Sequence, residues 1–310
     1  MRAAAVTQAG ASPSVVDVTV PEPGEGEVRV QVRAASVNGF DLSVASGRLQ
    51  GMMEHRFPVV LGKDFAGTVD AVGAGVEGYA VGDRVFGVVT KPYLGDGSFG
   101  EYVTVPVAVG ITHLLEQIDF AEGAALGLAG VAAVMAVDAA ELKPGQTVLV
   151  TGATGGVGNR AVQLAVQAGA TVIATARTEQ EQALVRELGA TEVVDYSGDV
   201  VAAVRAGHPD GVDAVLNFAG DPAALVPLVR PGGRFSSTLL MSAEQLPAED
   251  VTVTAVYANP DPATLDRCAR LHAEGTARTV IQATYPLEQA QQALDAFTGG
   301  TLGKIVITVA

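Results

Sequence analysis

The chain has 310 residues, 48% of them hydrophobic, with 37 glycines and a formal net charge of −15. That length allows two domains with a core each, and the composition is that of a packed α/β protein rather than a disordered chain. The acidic balance excludes nucleic acid and anionic lipid surfaces as expected partners, because both require basic stripes, and the lone Cys268 excludes an internal disulfide framework or a multi-cysteine zinc site.

The opening MRAAAVTQAG is too weakly apolar for a signal peptide, and the apolar runs read as too short to span a membrane. A soluble cytoplasmic protein is the expectation.

The first third reads as β-rich. Val28–Ala34 alternates apolar and polar residues, the period of a half-buried strand, and Val15–Val20 alternates less cleanly. Pro21–Glu27 is a turn by composition, and so is Gly73–Gly78. Further short strands are predicted at Phe65–Val72, Arg84–Val89 and Glu101–Val105, a pattern that suggests a small, irregular β-barrel. Ala121–Ala140 is alanine-rich and almost uncharged, which predicts one or two buried helices.

From Gly145 strands and helices alternate. Strands are predicted at Thr147–Thr151, Thr171–Ala176, Glu192–Asp195, Val212–Asn217 and Arg234–Thr238, with helices such as Val157–Ala168 and Glu179–Leu188 between them. That order is the mark of a doubly wound parallel sheet. Val251–Tyr257 is a further strand candidate, and Pro262–Glu274 and Leu287–Thr298 are helix candidates. Lys304–Val309 is a closing strand with no helix after it, placed to return to the first domain.

The most informative segment is Thr147–Gly158, TVLVTGATGGVG, in which a β-branched strand runs into a turn holding Gly152, Gly155, Gly156 and Gly158. Glycine lets the backbone turn sharply and approach a ligand closely, and the open N–H groups of the helix that follows favour a diphosphate. The pattern also matches the TGxxxGxG turn of short-chain dehydrogenases. That family needs a tyrosine four residues before a lysine, and none of Tyr79, Tyr93, Tyr102, Tyr196, Tyr257 and Tyr285 has one. Its fold also begins at the glycine turn, whereas here about 145 residues precede it.

Several motifs in order extend the match: VNGFD at Val37–Asp41 with Ser46–Gly47, LGKDFAG at Leu61–Gly67, VGDRVFG at Val81–Gly87, the GATGGVG turn, VRPGGRF at Val229–Phe235 and GKIVI at Gly303–Ile307. With these the chain resembles the medium-chain dehydrogenase/reductase superfamily, and within it the zinc-free quinone-oxidoreductase (zeta-crystallin-like) branch. The resemblance implies a GroES-like irregular β-barrel catalytic domain from residues 1–120 and 278–310, around a Rossmann domain at 121–277, with the active site in the cleft between. It also implies a homodimer, for which the sheet edge near Val251–Tyr257 is the candidate interface.

In zinc-dependent relatives two cysteines and a histidine–glutamate pair hold the metal. Here Asn38 stands at the first cysteine, Lys63–Asp64 replaces the pair, and His55, His113, His208 and His272 show no ligand spacing. No catalytic zinc is expected, and without a Lewis acid reduction of a polarised acceptor is favoured over alcohol oxidation.

NAD-binding sheets usually carry an acidic residue at the end of the second strand. This chain has Ala176 there, followed by Arg177, a guanidinium suited to the 2′-phosphate of NADPH. Tyr196 matches a family tyrosine beside that phosphate, whereas Glu179 is a carboxylate able to pair with Arg177 instead. The resemblance adds Thr154, Gly155, Gly156, Val157, Asn217, Ala219 and Lys304 as cofactor contacts.

At the reacting end Asn38 is placed near the nicotinamide, where it either donates to a carbonyl acceptor or satisfies the turn before a helix. Asp41 reads as a cap or brace rather than a proton carrier. Lys63 either stabilises an enolate or hydroquinone anion or pairs with Asp64 or another carboxylate. Tyr93 and Tyr257 are candidate proton donors or stacking platforms. Ala132 and Ser43 stand where the family often has threonine and tyrosine, which weakens any direct transfer of quinone specificity.

The expected activity is NADPH-dependent reduction of a quinone or an activated C=C bond, as in an enone or alkenal. The alternatives are an enoyl-thioester or polyketide enone reductase, and a non-catalytic NADPH-binding redox sensor.

Overall fold

The computed structural model describes residues 1–310. The chain divides into two compact units, one made of Met1–Val131, Pro260–Ala273 and Ile281–Ala310, the other of Ala132–Asn259 and Glu274–Val280.

In the first unit the strand Glu27–Ser36 is central. Its alternation places Val28, Val30 and Val32 in the core, as its period implies. It pairs antiparallel with Asp64–Val72, Tyr102–Pro106 and the C-terminal strand Lys304–Thr308. The sheet continues through Arg84–Val88 to Ile111–His113 on one side and through Lys304–Thr308 to Ile281–Pro286 on the other. The last strand of the chain therefore lies in this unit, beside residues from its beginning. A smaller sheet joins Arg2–Val6 to Ser14–Asp17 and Val59–Val60. The Arg2–Val6 strand is alanine-rich and carries little strand propensity, so pairing and burial on both sides make it a strand.

The helix Pro262–Ala273, whose sequence falls in the region expected for the nucleotide domain, packs with the first unit against Ile111–His113. Pro260 O accepts from Gly110 N there. The boundary near residue 121 likewise lies further on, between Val131 and Ala132, inside the helix Phe120–Ala140. That helix bends at Gly127, where ψ is −112°.

The expectation that no apolar run reaches a membrane span is corrected by this 21-residue helix, which is long and apolar enough by composition. Two thirds of its most apolar window, 67%, is buried inside the protein. Ala124, Ala125, Leu126, Val131 and Val134 are among the residues it contributes to the interior.

The second unit is a six-stranded parallel sheet. Its order is Glu192–Val194, Thr171–Thr175, Thr147–Thr151, Val212–Asn217, Val229–Ser237 and Thr252–Ala255. The order reverses direction between Thr147–Thr151 and Val212–Asn217, the switch point at which open α/β sheets bind ligands. Parallel strands covered on both faces need continuous apolar sequence, which is why Val148, Leu149 and Val150 are all fully buried.

Candidate active site

The glycine turn leaves the central strand at the switch point and enters the helix Gly156–Gln167. Gly152 has φ +64°, a conformation that favours glycine. A Cβ on Gly158 would lie 2.1 Å from Gly152 O, so only glycine lets the helix start this close to the strand. No side chain caps the helix at Gly155. Its first N–H groups, at Gly156 and Val157, stay open for an anion. Thr154 and Val157 stand half-buried around this opening.

Neighbouring strands brace the turn. Thr175 Oγ1 accepts from Gly152 N at 3.1 Å, and Thr151 Oγ1 donates to Ala219 O at 2.8 Å. Asn217 Nδ2 donates to Ala219 O at 2.7 Å and to Thr151 Oγ1 at 3.1 Å, while its Oδ1 accepts from Ser237 at 2.7 Å. Asn217 is therefore a brace. Both its amide hydrogens are used within the protein. Ala219 is exposed, and its Cβ lies only 3.0 Å from where a Cβ on Gly152 would be.

Arg177 follows the buried Ala176 at the end of the second strand and is exposed. Its guanidinium lies 5.6 Å from the centre of the Tyr196 ring. The expected competitor, Glu179, does not pair with it. Glu181 is the carboxylate at this corner, and it accepts the backbone N–H groups of Arg177 at 2.5 Å and Thr178 at 3.1 Å, and the Tyr196 hydroxyl at 2.9 Å. Burial works against its charge, but these three donors prevail and hold its carboxyl below the usual range. Burial and the Glu181 carboxylate raise the Tyr196 phenol.

In the first unit, Asp64 is the centre of a buried polar cluster. Its Oδ2 accepts from Ser36 Oγ at 2.6 Å, Asn38 Nδ2 at 2.8 Å and Lys304 Nζ at 3.3 Å. Its Oδ1 accepts the Leu128 N–H at 2.7 Å, a group freed by the bend at Gly127. Lys304 spends its other donors on Val37 O at 2.9 Å and Asn38 Oδ1 at 2.6 Å. An ammonium has three donors, and all three meet protein oxygens, so Lys304 serves here as a structural cation. Asn38 is likewise turned inward, with Nδ2 on Asp64 and on Ser36 O at 3.3 Å. Of the two readings of Asn38, the geometry favours the structural one.

Asp41 accepts the Asn38 N–H at 2.8 Å at the start of the helix Gly39–Ala45, as a brace should. It is also buried, with 1% exposure, and burial pushes its carboxyl up to about 7.

Lys63 pairs with neither Asp64 nor any other carboxylate. It donates to Val89 O at 2.6 Å, lies 4.8 Å from the Phe40 ring centre, and burial lowers its pKa. The reading of Lys63 as one half of an ion pair is thereby corrected. Phe40, Asp41, Lys63, Lys91, Tyr93 and Asp96 line one pocket within this unit.

Tyr93 gives its hydroxyl to Asp96 at 2.5 Å beneath the Arg56 guanidinium, and burial together with Asp96 raises it to about 12. Tyr257 belongs to the other unit, is 52% exposed, and donates to Met241 O. The structure therefore brings together Asn38 and Lys304, and separately Lys63 and Tyr93, within the first unit.

Sequence reasoning missed Ser36, Asp64, Thr175 and Ser237 as site-building residues. The one available signal was a polar residue ending an apolar strand. Thr151, Asn217 and Ser237 stand in register across three parallel strands.

A parallel sheet of this order with a glycine turn at its switch point, in one chain with a GroES-like unit, defines a nicotinamide-dependent oxidoreductase of the dehydrogenase/reductase class. Residues 24–116 match the family described as "Alcohol dehydrogenase GroES-like domain", and residues 188–307 match "Zinc-binding dehydrogenase". The chloroplast envelope quinone oxidoreductase homolog of Arabidopsis thaliana is 31% identical over 308 residues, covering 94% of this chain and 92% of that protein. A mycocerosic acid synthase-like polyketide synthase of Mycolicibacterium smegmatis is 35% identical over 310 residues, 93% of this chain but 14% of the synthase. The structure of the quinone oxidoreductase from Coxiella burnetii superimposes with a TM-score of 0.90 at 28% identity, over 100% of this chain and 99% of that one. The chain belongs to the medium-chain dehydrogenase/reductase superfamily and resembles its quinone oxidoreductases over nearly its whole length.

Proposed function

We propose that the protein is a metal-independent, NADPH-dependent reductase of a quinone or of an activated carbon–carbon double bond. The observation that carries the cofactor choice is Arg177, an exposed guanidinium beside Tyr196 that is paired with no carboxylate and follows an alanine where NAD sites hold an acid. Glu181 attracts the guanidinium electrostatically, but its oxygens accept two backbone N–H groups and the Tyr196 hydroxyl, and it forms no ion pair with Arg177.

The residues suit such a cofactor. The open N–H groups of Gly156 and Val157, with Thr154, Gly155 and Ala219 at the turn, would hold its diphosphate, and Arg177 and Tyr196 its adenosine-side phosphate. When bound, a reduced nicotinamide supplies a hydride to an electron-poor carbon.

Zinc does not suit the donor set. Asn38 has both amide ends engaged, Lys63 is an ammonium, and the Asp64 carboxylate already holds the Lys304 cation. No group of three histidine, cysteine, aspartate or glutamate side chains is arranged to hold a metal. The reduction in this reading therefore uses no Lewis acid.

A second acceptor class has its own support. The polyketide synthase relative is 35% identical over the stretch of it that this chain matches, against 31% for the plant quinone oxidoreductase homolog. Enoyl thioesters thus stand as the runner-up acceptors. Stopped-flow NADPH oxidation with a quinone, an alkenal and an enoyl thioester ranks the three. NADPH binding with no oxidation above the buffer rate across the panel would replace the reductase reading with that of a redox sensor.

The same reading takes the molecule as a cytoplasmic homodimer, paired along the sheet edge Thr252–Ala255. The segments leaving that strand and its neighbour expose Leu239, Met241 and Tyr257, which are 48%, 62% and 52% accessible.

A further inference from the structure

Arg177 shares its corner of the parallel sheet with two carboxylates, Glu181 and Asp195, and both feel its charge. Neither forms an ion pair with it, and each is held by other donors. Asp195 Oδ1 accepts the Ser197 N–H at 2.8 Å and the Ser197 hydroxyl at 2.7 Å, a turn closed locally. Glu181 is the third residue of the helix Glu179–Glu187. Its Oε2 accepts the N–H groups of Arg177 at 2.5 Å and of the helix cap Thr178 at 3.1 Å.

That capping contact fixes the Glu181 carboxylate at the root of the Arg177 side chain and leaves Oε1 for a partner from elsewhere. The partner is the Tyr196 hydroxyl, 2.9 Å away and 15 residues further along the chain. Without it Oε1 has no protein donor, and the Arg177 guanidinium is the cation that already acts on this carboxylate. The guanidinium is exposed, 5.6 Å from the centre of the Tyr196 ring, and therefore free to meet it. A phenol carries a single O–H donor, and a carboxylate can only accept. While the Tyr196 hydrogen lies on Glu181, the hydroxyl cannot give it to a phosphate.

Resting on the NADPH reading, we propose that Tyr196 governs the cofactor preference indirectly: its hydroxyl latches Glu181 and keeps that carboxylate off the Arg177 guanidinium, which stays free for the 2′-phosphate. Removing the hydroxyl releases Oε1 to turn onto the guanidinium and compete with the phosphate for the same donors. Tyr196 is thereby a positioning residue, acting through Glu181 on Arg177. Every group involved lies in the second unit, within Ala132–Asn259. An exposed ion pair contributes little against solvent, so the latch tunes a preference that Arg177 creates.

The test is a double-variant cycle on the full-length protein, read as the ratio of the NADH to the NADPH dissociation constant by calorimetry. Damage common to both cofactors cancels in that ratio. Tyr196→Phe should lower it about threefold, the size of an exposed ion pair's contribution. Glu181→Gln keeps an amide oxygen for the helix start but has no charge to offer Arg177. In that background the same Tyr196→Phe change should leave the ratio unaltered. Equal losses in the two backgrounds would mean that the hydroxyl serves the phosphate itself, and they overturn the latch while the NADPH reading stands. No loss on Tyr196→Phe alone overturns it as well. A crystal structure of Tyr196→Phe without cofactor should show Glu181 paired with the Arg177 guanidinium, and a carboxylate still off that guanidinium counts against the proposal. A wild-type ratio near one ends the NADPH reading, and with it any preference for a latch to tune.

Discussion

Lys304 Nζ lies 2.6 Å from Asn38 Oδ1, joining residues 266 positions apart in the chain. The contact follows from the antiparallel pairing of Lys304–Thr308 with Glu27–Ser36, which sets the cation beside Asn38 and the carboxylate of Asp64. A buried anion is stable here because its counter-ion arrives on a different strand.

Removing that cation should be costly. Lys304→Met leaves the Asp64 carboxylate, 0% exposed, without its counter-ion, and we expect a loss of roughly 3–5 kcal/mol in urea unfolding. Adding Asp64→Asn to Lys304→Met should recover a large part of the loss. If the double variant is no more stable than Lys304→Met, the pair is not what holds this cluster.

The Arg177 reading is tested by calorimetry. NADPH should bind at least about tenfold more tightly than NADH, since charge-assisted hydrogen bonds to phosphate contribute about 1.5–3 kcal/mol each. Arg177→Ala should remove most of that difference and leave NADH binding nearly unchanged. Equal dissociation constants in the wild type would end the assignment.

Stability should respond to pH through Asp41. Burial pushes its folded carboxyl up to about 7, from the 3.8 of an aspartate in water that the unfolded chain keeps. Between those values the folded state holds a proton that the unfolded state has lost, so this group's contribution is full below about 4 and is lost as pH rises through 7. Asp41→Asn, which cannot ionise, should therefore gain on the wild type between pH 5 and pH 8, by several degrees in Tm. A constant difference in Tm across that range would contradict it.

Gly158→Ala tests the close approach at the turn. A Cβ there meets Gly152 O at 2.1 Å and Ala153 Cα at 2.7 Å, both backbone atoms. The turn must shift, and we expect cofactor affinity to fall more than about tenfold, at a cost in stability of about 1–3 kcal/mol. Wild-type affinity in the variant would mean that the turn does not set the binding geometry.

Sedimentation addresses the sheet edge. The wild type should run as a dimer at micromolar concentration, and a charge placed at Met241, which is 62% exposed, should favour the monomer. A monomeric wild type removes the interface.

Local pattern alone was sufficient for much of this molecule. The alternation of Val28, Val30 and Val32, the continuous apolar strands of the parallel sheet, the glycine turn and the Ala176–Arg177 step all carry their meaning within a few residues. The motif order, from VNGFD to GKIVI, identified the family before any contact was known. Short, weakly patterned strands such as Arg2–Val6 and Ile281–Pro286 were not legible, because partners distant in sequence make them strands.

The fate of many polar side chains was decided only in the tertiary structure. Nothing near Lys304 in sequence announces that its three donors end on Val37, Asn38 and Asp64, nor does the stretch around Lys63 show that it avoids its neighbour Asp64. Glu181 takes the Arg177 corner locally, as the third residue of the helix that Thr178 caps, and only the tertiary structure adds the Tyr196 hydroxyl to it. Backbone form follows from local sterics and periodicity, whereas a hydrogen bond or a shifted carboxyl depends on atoms that many different segments bring within about 3 Å.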